Sequence, residues 1–188
     1  MLLFKTVRIV FILWCAYHRS FKGQDDKVDE MADQVPIAEG LFTWPDESPA
    51  LIGGQCSACG WVSFPMKPGC ARCGAEHVEA RQLPREGILW SWTIQGFRPK
   101  TPPYTPPESA LTDHGEEKFE PFGVGYIQLA KDIIVEAHLT ESDPERLQIG
   151  MAMELIVFPY RRNEQGNWLM SYAFQPQAGS QGEGAQWM

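Results

Sequence analysis

Apolar and polar positions alternate along most of the chain from Gly87 to Phe174, and a period of two predicts strands. Residues 87–97 are aromatic and β-branched with partial alternation. Residues 123–129 and 133–139 form a second and a third strand. The tight connection Ala130-Lys131-Asp132 makes those two a hairpin. Residues 151–159 alternate well, and residues 168–174 close the set. Gly123 and Gly125 inside a strand predict a bend or a close backbone approach. A single turn of helix is expected at residues 143–147, between the third and fourth strands. Five strands with that punctuation predict a mainly β fold, a five-stranded Greek-key barrel of the OB type over residues 85–176.

Upstream the pattern shortens. Two small apolar stretches, Ala50-Leu51-Ile52-Gly53 and Trp61-Val62-Ser63-Phe64-Pro65, read as paired strands of a ribbon over residues 50–84. Around and after the second lie Cys56, Cys59, Cys70 and Cys73, two Cys-x-x-Cys pairs ten residues apart. Each pair brings two thiolates to one point, and two pairs complete the tetrahedral thiolate shell of a closed structural zinc site. Glycine directly after the second cysteine of each pair, Gly60 and Gly74, suits a knuckle that needs positive φ. Iron fits the same four thiolates, and two disulfides are the third reading of the spacing. With four cysteines available, His77 reads as a surface residue. So small a ribbon buries little core of its own, so metal binding is expected to supply most of its folding free energy, on the order of 10 kcal/mol.

Composition narrows the partners. The chain has 188 residues, with seven tryptophans and ten phenylalanines, enough for a broad aromatic core or a sizeable contact surface. Net charge is −8, and from Met31 onward 11 Lys and Arg face 20 Asp and Glu. That part holds no basic block beyond Arg161-Arg162, which argues against a nucleic-acid module. The first thirty residues differ. Lys5 and Arg8 precede the apolar run Ile9 to Tyr17, too short to span a bilayer and without a small-x-small cleavage site behind it. They read as an upstream extension, with a targeting segment as the alternative. Residues 31–49 lead into the ribbon, and residues 177–188 are a Gly- and Gln-rich tail. A reduced four-cysteine site points to the cytoplasm, with no membrane attachment.

The connection over residues 98–121 stands apart. Pro99, Pro102, Pro103, Pro106 and Pro107 stiffen it into extended backbone, and a loop this long in a small barrel calls for a function. Pro102, Pro103 and Tyr104 are the candidate partner contact. The order of four-cysteine ribbon, Gly-x-Leu-x-Ser-Trp-Thr, proline arm, Pro-Phe-Gly-Val-Gly-Tyr-Ile-Gln-Leu and Leu-Gln-Ile-Gly-Met-Ala-Met-Glu-Leu resembles the rubredoxin-type zinc-ribbon/OB-fold family over residues 38–176. Members of that family accompany thiolase-like and acyl-CoA enzymes. Within it, Gln95-Gly96-Phe97-Arg98-Pro99-Lys100, the Pro-Pro-Tyr that follows, and Glu39-Gly40-Leu41-Phe42 resemble the branch of benzoylsuccinyl-CoA thiolase small subunits. The resemblance implies a thiolase-fold catalytic partner that holds most of the CoA site. It also implies an accessory role in thiolytic cleavage of a β-ketoacyl-CoA in anaerobic toluene breakdown.

The residues agree with dependence on a partner. Thiolysis needs a thiolate nucleophile and an acid/base group. Four of the five cysteines are committed to metal, and Cys15 lies in the upstream segment. No catalytic residue is therefore assigned. A free-standing acyl-CoA carrier remains a second reading. Its CoA phosphates would meet Arg98, Lys100, Arg161 and Arg162, whose plain reading is ordinary surface charge.

Overall fold

A computed structural model of the chain describes residues 34–98, 119–131 and 133–177, all within the compact unit Asp33–Met188. The described backbone forms nine strands: β1 (Gln34–Pro36), β2 (Ile52–Cys56), β3 (Val62–Ser63), β4 (Val78–Gln82), β5 (Glu86–Gln95), β6 (Phe122–Leu129), β7 (Ile133–Leu139), β8 (Ala152–Arg162) and β9 (Trp168–Pro176). None of the described residues is helical.

Strands β5 to β9 close the barrel that the alternation predicts. β5, β6 and β7 form an antiparallel meander, β7 lies parallel to β9, and β9 pairs antiparallel with β8. β8 then returns to Glu86–Ile88 of β5 through Ala152, Met153 and Glu154, which shuts the ring. A barrel of this kind has few free edges. The predicted hairpin is present, with Leu129 opposite Ile133. Alternation works as expected on β6, where Ile127 and Leu129 are buried and Tyr126 between them and the rim is exposed. The expected close approach at Gly125 is real: a methyl there would meet Leu139 at 2.7 Å and Leu89 at 3.0 Å. In β5 the register slips between Leu89 and Ser91, a bulge that turns Trp90 outward.

The expected helical turn at residues 143–147 is a non-helical turn. Glu141 accepts the N–H groups of Ser142 and Asp143, and Arg146 N–H bonds to the Asp143 carbonyl. Five residues offer too few bonds to offset helix nucleation. β9 extends past the expected end at Phe174 because Gln175 and Pro176 still pair with Glu154 and Met153. Residues 178–188 lie outside the described part.

The ribbon differs more from its sequence reading. β2 is central, flanked by β3 and by β4, a strand the pattern did not reveal. The pairing expected for residues 50–53 is shifted along the chain, with Gly54 opposite Ser63 and Gln55 opposite Val62. The second stretch keeps only Val62–Ser63 as strand, and Trp61 ahead of it is exposed. The ribbon also does not stand on its own core. Phe42, Leu51, Val62 and Leu83 are buried in the same cluster as Leu89, Ile127, Met153, Leu155 and Phe174 of the barrel. Ribbon and barrel therefore share the burial term, about 1.5–3 kcal/mol for each fully buried large side chain. The segment before the ribbon contributes too, since β1 adds to β9 in parallel and Phe42 bridges to Leu51.

Arg85 locks the joint. Its guanidinium donates to the carbonyls of Pro49 at 2.8 Å and Leu155 at 3.1 Å and lies 3.5 Å from the Glu154 carboxylate. Its own carbonyl accepts the Leu155 N–H. Across the same joint, Phe64 of the ribbon packs edge-on against Tyr172 of β9 at 5.7 Å.

Candidate metal centre

The two knuckles are built alike. In the first, Cys56 N–H bonds to the Trp61 carbonyl and Gly60 N–H to the Cys56 carbonyl, both at 2.9 Å. In the second, Cys70 N–H bonds to Ala75 at 2.8 Å and Gly74 N–H to Cys70 at 2.9 Å. The repeat of a bond five residues on and another four residues back folds each Cys-x-x-Cys into the same tight loop. Both loops turn on a left-handed glycine, with φ of 72° at Gly60 and 76° at Gly74, as the sequence predicts. Ser57 ties the first knuckle to the start of β4, because its N–H and hydroxyl both donate to the His77 carbonyl.

These loops bring Cys56, Cys59, Cys70 and Cys73 to one point, positioned to bind a metal ion. All four Sγ atoms lie within 4.8 Å of one another, and two pairs in hydrogen-bonding contact run across the knuckles. Cys56 is 3.7 Å from Cys73, and Cys59 is 3.6 Å from Cys70. Four sulfurs held about 2.3 Å from a tetrahedral ion lie about 3.8 Å apart, so the geometry fits the shell. The four cysteines are free thiols, and His77 is exposed outside the cluster. Cys56 and Cys70, the first of each pair, are buried, while Cys59 and Cys73 are exposed.

The thiols do not titrate alike. The backbone N–H of Cys73 chiefly draws Cys70 down to about 6. The backbone N–H of Trp61 pulls Cys59 the same way. Burial and the side chains of Cys73, Cys70 and Cys56 outweigh it and push that thiol up to about 12. Four thiolates this close repel one another, and a divalent cation at their centre lets all of them ionise. A metal shell of four thiolates leaves no position open to a substrate.

Sequence reasoning missed the side chains that surround this centre. Arg72, between the second pair of cysteines, lies 5.4 Å from the centroid of Trp61, which follows the first pair. The contact spans the two knuckles. Its only sequence signal was an arginine inside one Cys-x-x-Cys and a tryptophan just after the other. On the barrel, Phe122 stacks on His138 at 4.7 Å, and Tyr160 meets the histidine edge-on at 6.2 Å.

Of the other predicted sites, Lys100, Pro102, Pro103 and Tyr104 lie outside the described residues. Arg98 is exposed just past β5. Arg161 and Arg162 end β8, and Arg162 is engaged within its own hairpin. It donates to the Gly166 carbonyl at 3.2 Å and lies over the Trp168 ring at 4.7 Å. No described helix is long and apolar enough to cross a membrane.

Comparison with known proteins divides the chain along the same line. Residues 44–79 match the family described as ChsH2, rubredoxin-like zinc ribbon domain, and residues 80–158 match ChsH2, C-terminal OB-fold domain. A DUF35 domain-containing scaffold protein of Pyrococcus furiosus is 32% identical over 127 residues, 67% of this chain and 82% of the relative. Benzoylsuccinyl-CoA thiolase subunit BbsA of Thauera aromatica is 29% identical over 127 residues, 68% of this chain and 76% of that subunit. Among solved structures, the Ltp2-ChsH2(DUF35) aldolase aligns with a TM-score of 0.47 at 20% identity, covering 68% of this chain and 84% of that one.

Proposed function

Because the chain belongs to the DUF35 family of ChsH2-type zinc-ribbon and OB-fold proteins, we propose that it is the accessory subunit of a thiolase-type complex. The observation that carries this reading is the similarity to BbsA, a subunit of benzoylsuccinyl-CoA thiolase, across ribbon and barrel together. The scaffold naming of the Pyrococcus relative supports it. In this reading a thiolase-fold partner carries the nucleophile and the CoA site. The chain itself orders that partner from the cytoplasm side of metabolism, with no nucleic-acid or membrane role. The substrate is a β-ketoacyl-CoA, with benzoylsuccinyl-CoA the specific proposal. The proline-rich sequence around Pro102, Pro103 and Tyr104 is the candidate partner contact, since prolines lower the ordering cost of binding.

The ion is proposed to be zinc, held by Cys56, Cys59, Cys70 and Cys73. A closed tetrahedral shell of four thiolates is its common structural setting, and iron is the alternative that elemental analysis excludes or finds. When bound, the ion pins the two knuckles together; the chemistry of thiolysis lies elsewhere.

Co-expression with the thiolase-fold subunit tests the proposal. A stable hetero-oligomer that cleaves a β-ketoacyl-CoA with free CoA, while the isolated chain is inactive, is the expected result. A partner fully stable and active without this chain overturns it. A carrier reading has one observation in its favour, the Phe122–His138–Tyr160 aromatic group one residue from Arg161. Aromatic faces and nearby cations suit a nucleotide such as that of CoA, with Arg98, Lys100, Arg161 and Arg162 as the candidate phosphate contacts. Acyl-CoA binding to the isolated chain, read by calorimetry, favours the carrier.

A further inference from the structure

We propose that the four-cysteine centre is a reversible peroxide-responsive switch whose oxidised form carries two cross-knuckle disulfides, Cys59–Cys70 and Cys56–Cys73. Two observations carry it. Exposure is unequal in a regular way, with the second cysteine of each knuckle open to solvent and the first buried. The sulfurs in hydrogen-bonding contact also pair each exposed cysteine with the buried cysteine of the other knuckle, at 3.6 and 3.7 Å. An oxidant therefore meets Cys59 or Cys73 first, and a resolving thiolate of the opposite loop lies 3.6 or 3.7 Å away. The inference rests on the metal site proposed above.

The chemistry balances with a hydroperoxide as the two-electron oxidant. The Cys59 thiolate attacks one peroxide oxygen, the O–O bond breaks, and the product is a sulfenic acid at Cys59 with hydroxide as leaving group. The Cys70 thiolate then attacks the sulfenic sulfur, forming the S–S bond and expelling a second hydroxide. Two protons from solvent convert both to water. A second peroxide does the same at Cys73 and Cys56. The four thiolates have then lost four electrons, none remains to bind a cation, and the ion leaves. A dithiol reductant reverses both bonds and restores the shell.

The pairing decides what happens to the fold. Disulfides within each Cys-x-x-Cys would leave the two loops unconnected once the metal is gone. Cross-knuckle disulfides tie the same two loops that the metal tied, so the ribbon survives oxidation in stapled form. β2 and β4 stay paired, and the Trp61–Arg72 contact keeps its two ends close.

The test uses the purified full chain. Metal content is measured before any oxidant is added; absence of stoichiometric metal at that stage defeats the zinc proposal and this inference with it. Metal-loaded protein is then treated with hydrogen peroxide, released zinc is read with a chromogenic chelator, and disulfides are mapped by peptide mass spectrometry. The expected result is one zinc released per chain, with the Cys59–Cys70 and Cys56–Cys73 linkages, both reversed by dithiothreitol and rebinding zinc. In parallel, iodoacetamide on the native metal-loaded protein is expected to label Cys59 and Cys73 about ten-fold faster than Cys56 and Cys70. Linkages confined to Cys56–Cys59 and Cys70–Cys73, retention of zinc while peroxide oxidises the Cys15 thiol, or equal labelling of all four cysteines overturns the proposal.

Discussion

The β5–β9 barrel and the β2–β4 ribbon share one apolar cluster, yet their strands are held by different means. In the barrel, β6 and β7 alternate cleanly and all five strands send large residues inward, so Leu89, Ile127, Leu129, Val135, Leu155 and Phe174 are buried together. In the ribbon, the end next to the barrel is apolar, through Leu51, Val62 and Leu83, while the far end consists of two loops around four sulfurs. The barrel end of the ribbon borrows stability from its neighbour. The knuckle end has no comparable burial, and its four cysteines are positioned to bind a metal ion. The difference teaches that a module which reads as one unit in sequence can have two sources of stability in space.

Metal removal is the sharpest way to break that comparison. Chelation is expected to abolish order at the knuckles, a term on the order of 10 kcal/mol for four-thiolate zinc sites. Amide protection should vanish over residues 56–61 and 70–77 and persist in β6, β7, β8 and β9. Hydrogen exchange monitored by mass spectrometry checks this. Equal loss of protection in the barrel would show that both regions depend on the ion.

The converse experiment acts on the core. Phe174 is fully buried on β9, opposite both Leu139 and Leu155. Phe174→Ala is expected to lower global stability by about 3–5 kcal/mol through lost transfer energy and a cavity. Zinc stoichiometry should stay at one per chain. Chemical denaturation together with elemental analysis reads both.

Arg85→Ala sharpens the comparison at the joint. It removes two charge-assisted bonds to the Pro49 and Leu155 carbonyls and an ion pair to Glu154 whose partners are partly exposed. The expected cost is about 2 kcal/mol, most of it from leaving those carbonyls without a donor. Arg85→Lys should recover only part, since one ammonium does not reproduce the planar fork. Thermal denaturation of the two variants beside the wild type decides the matter.

What could be read from sequence follows the same division. Strands with buried and exposed faces announce themselves by alternation, so β6, β7 and the body of β5, β8 and β9 were legible. The four cysteines that come together, positioned to bind a metal ion, were legible because their spacing is itself the geometry. β4 was not: Val78-Glu79-Ala80-Arg81-Gln82 shows no alternation, with Glu79, Ala80 and Gln82 exposed, and pairs with β2. β1 and Arg85 were hidden for a related reason. Their roles are contacts with Met170, Pro49 and Leu155, residues distant in the chain, and nothing local marks them. The shift of β2 relative to its expected pairing has a further cause, since Cys56 must end the strand at the knuckle and pulls the register with it.

The smallest predicted effect tests whether the barrel surface senses protons. His138 sits on the outer side of β7, stacked on Phe122 and edged by Tyr160, with Glu136 two residues away on the same strand. Burial lowers its pKa from the ordinary 6.5, and the Glu136 carboxylate opposes that only in part. The folded state therefore binds this proton less readily than the unfolded chain. Its contribution to stability is fully present above about pH 6.5 and is lost as pH falls through the depressed folded value. Tyr126 donates to the Glu136 carboxylate at 3.1 Å. His138→Phe preserves the stacking and removes the titration. The expected outcome is a flatter stability profile below pH 6.5 than in wild type, with no change at pH 8. Denaturation midpoints measured across that range check it, and parallel profiles for the two proteins would show that the histidine does not titrate on folding.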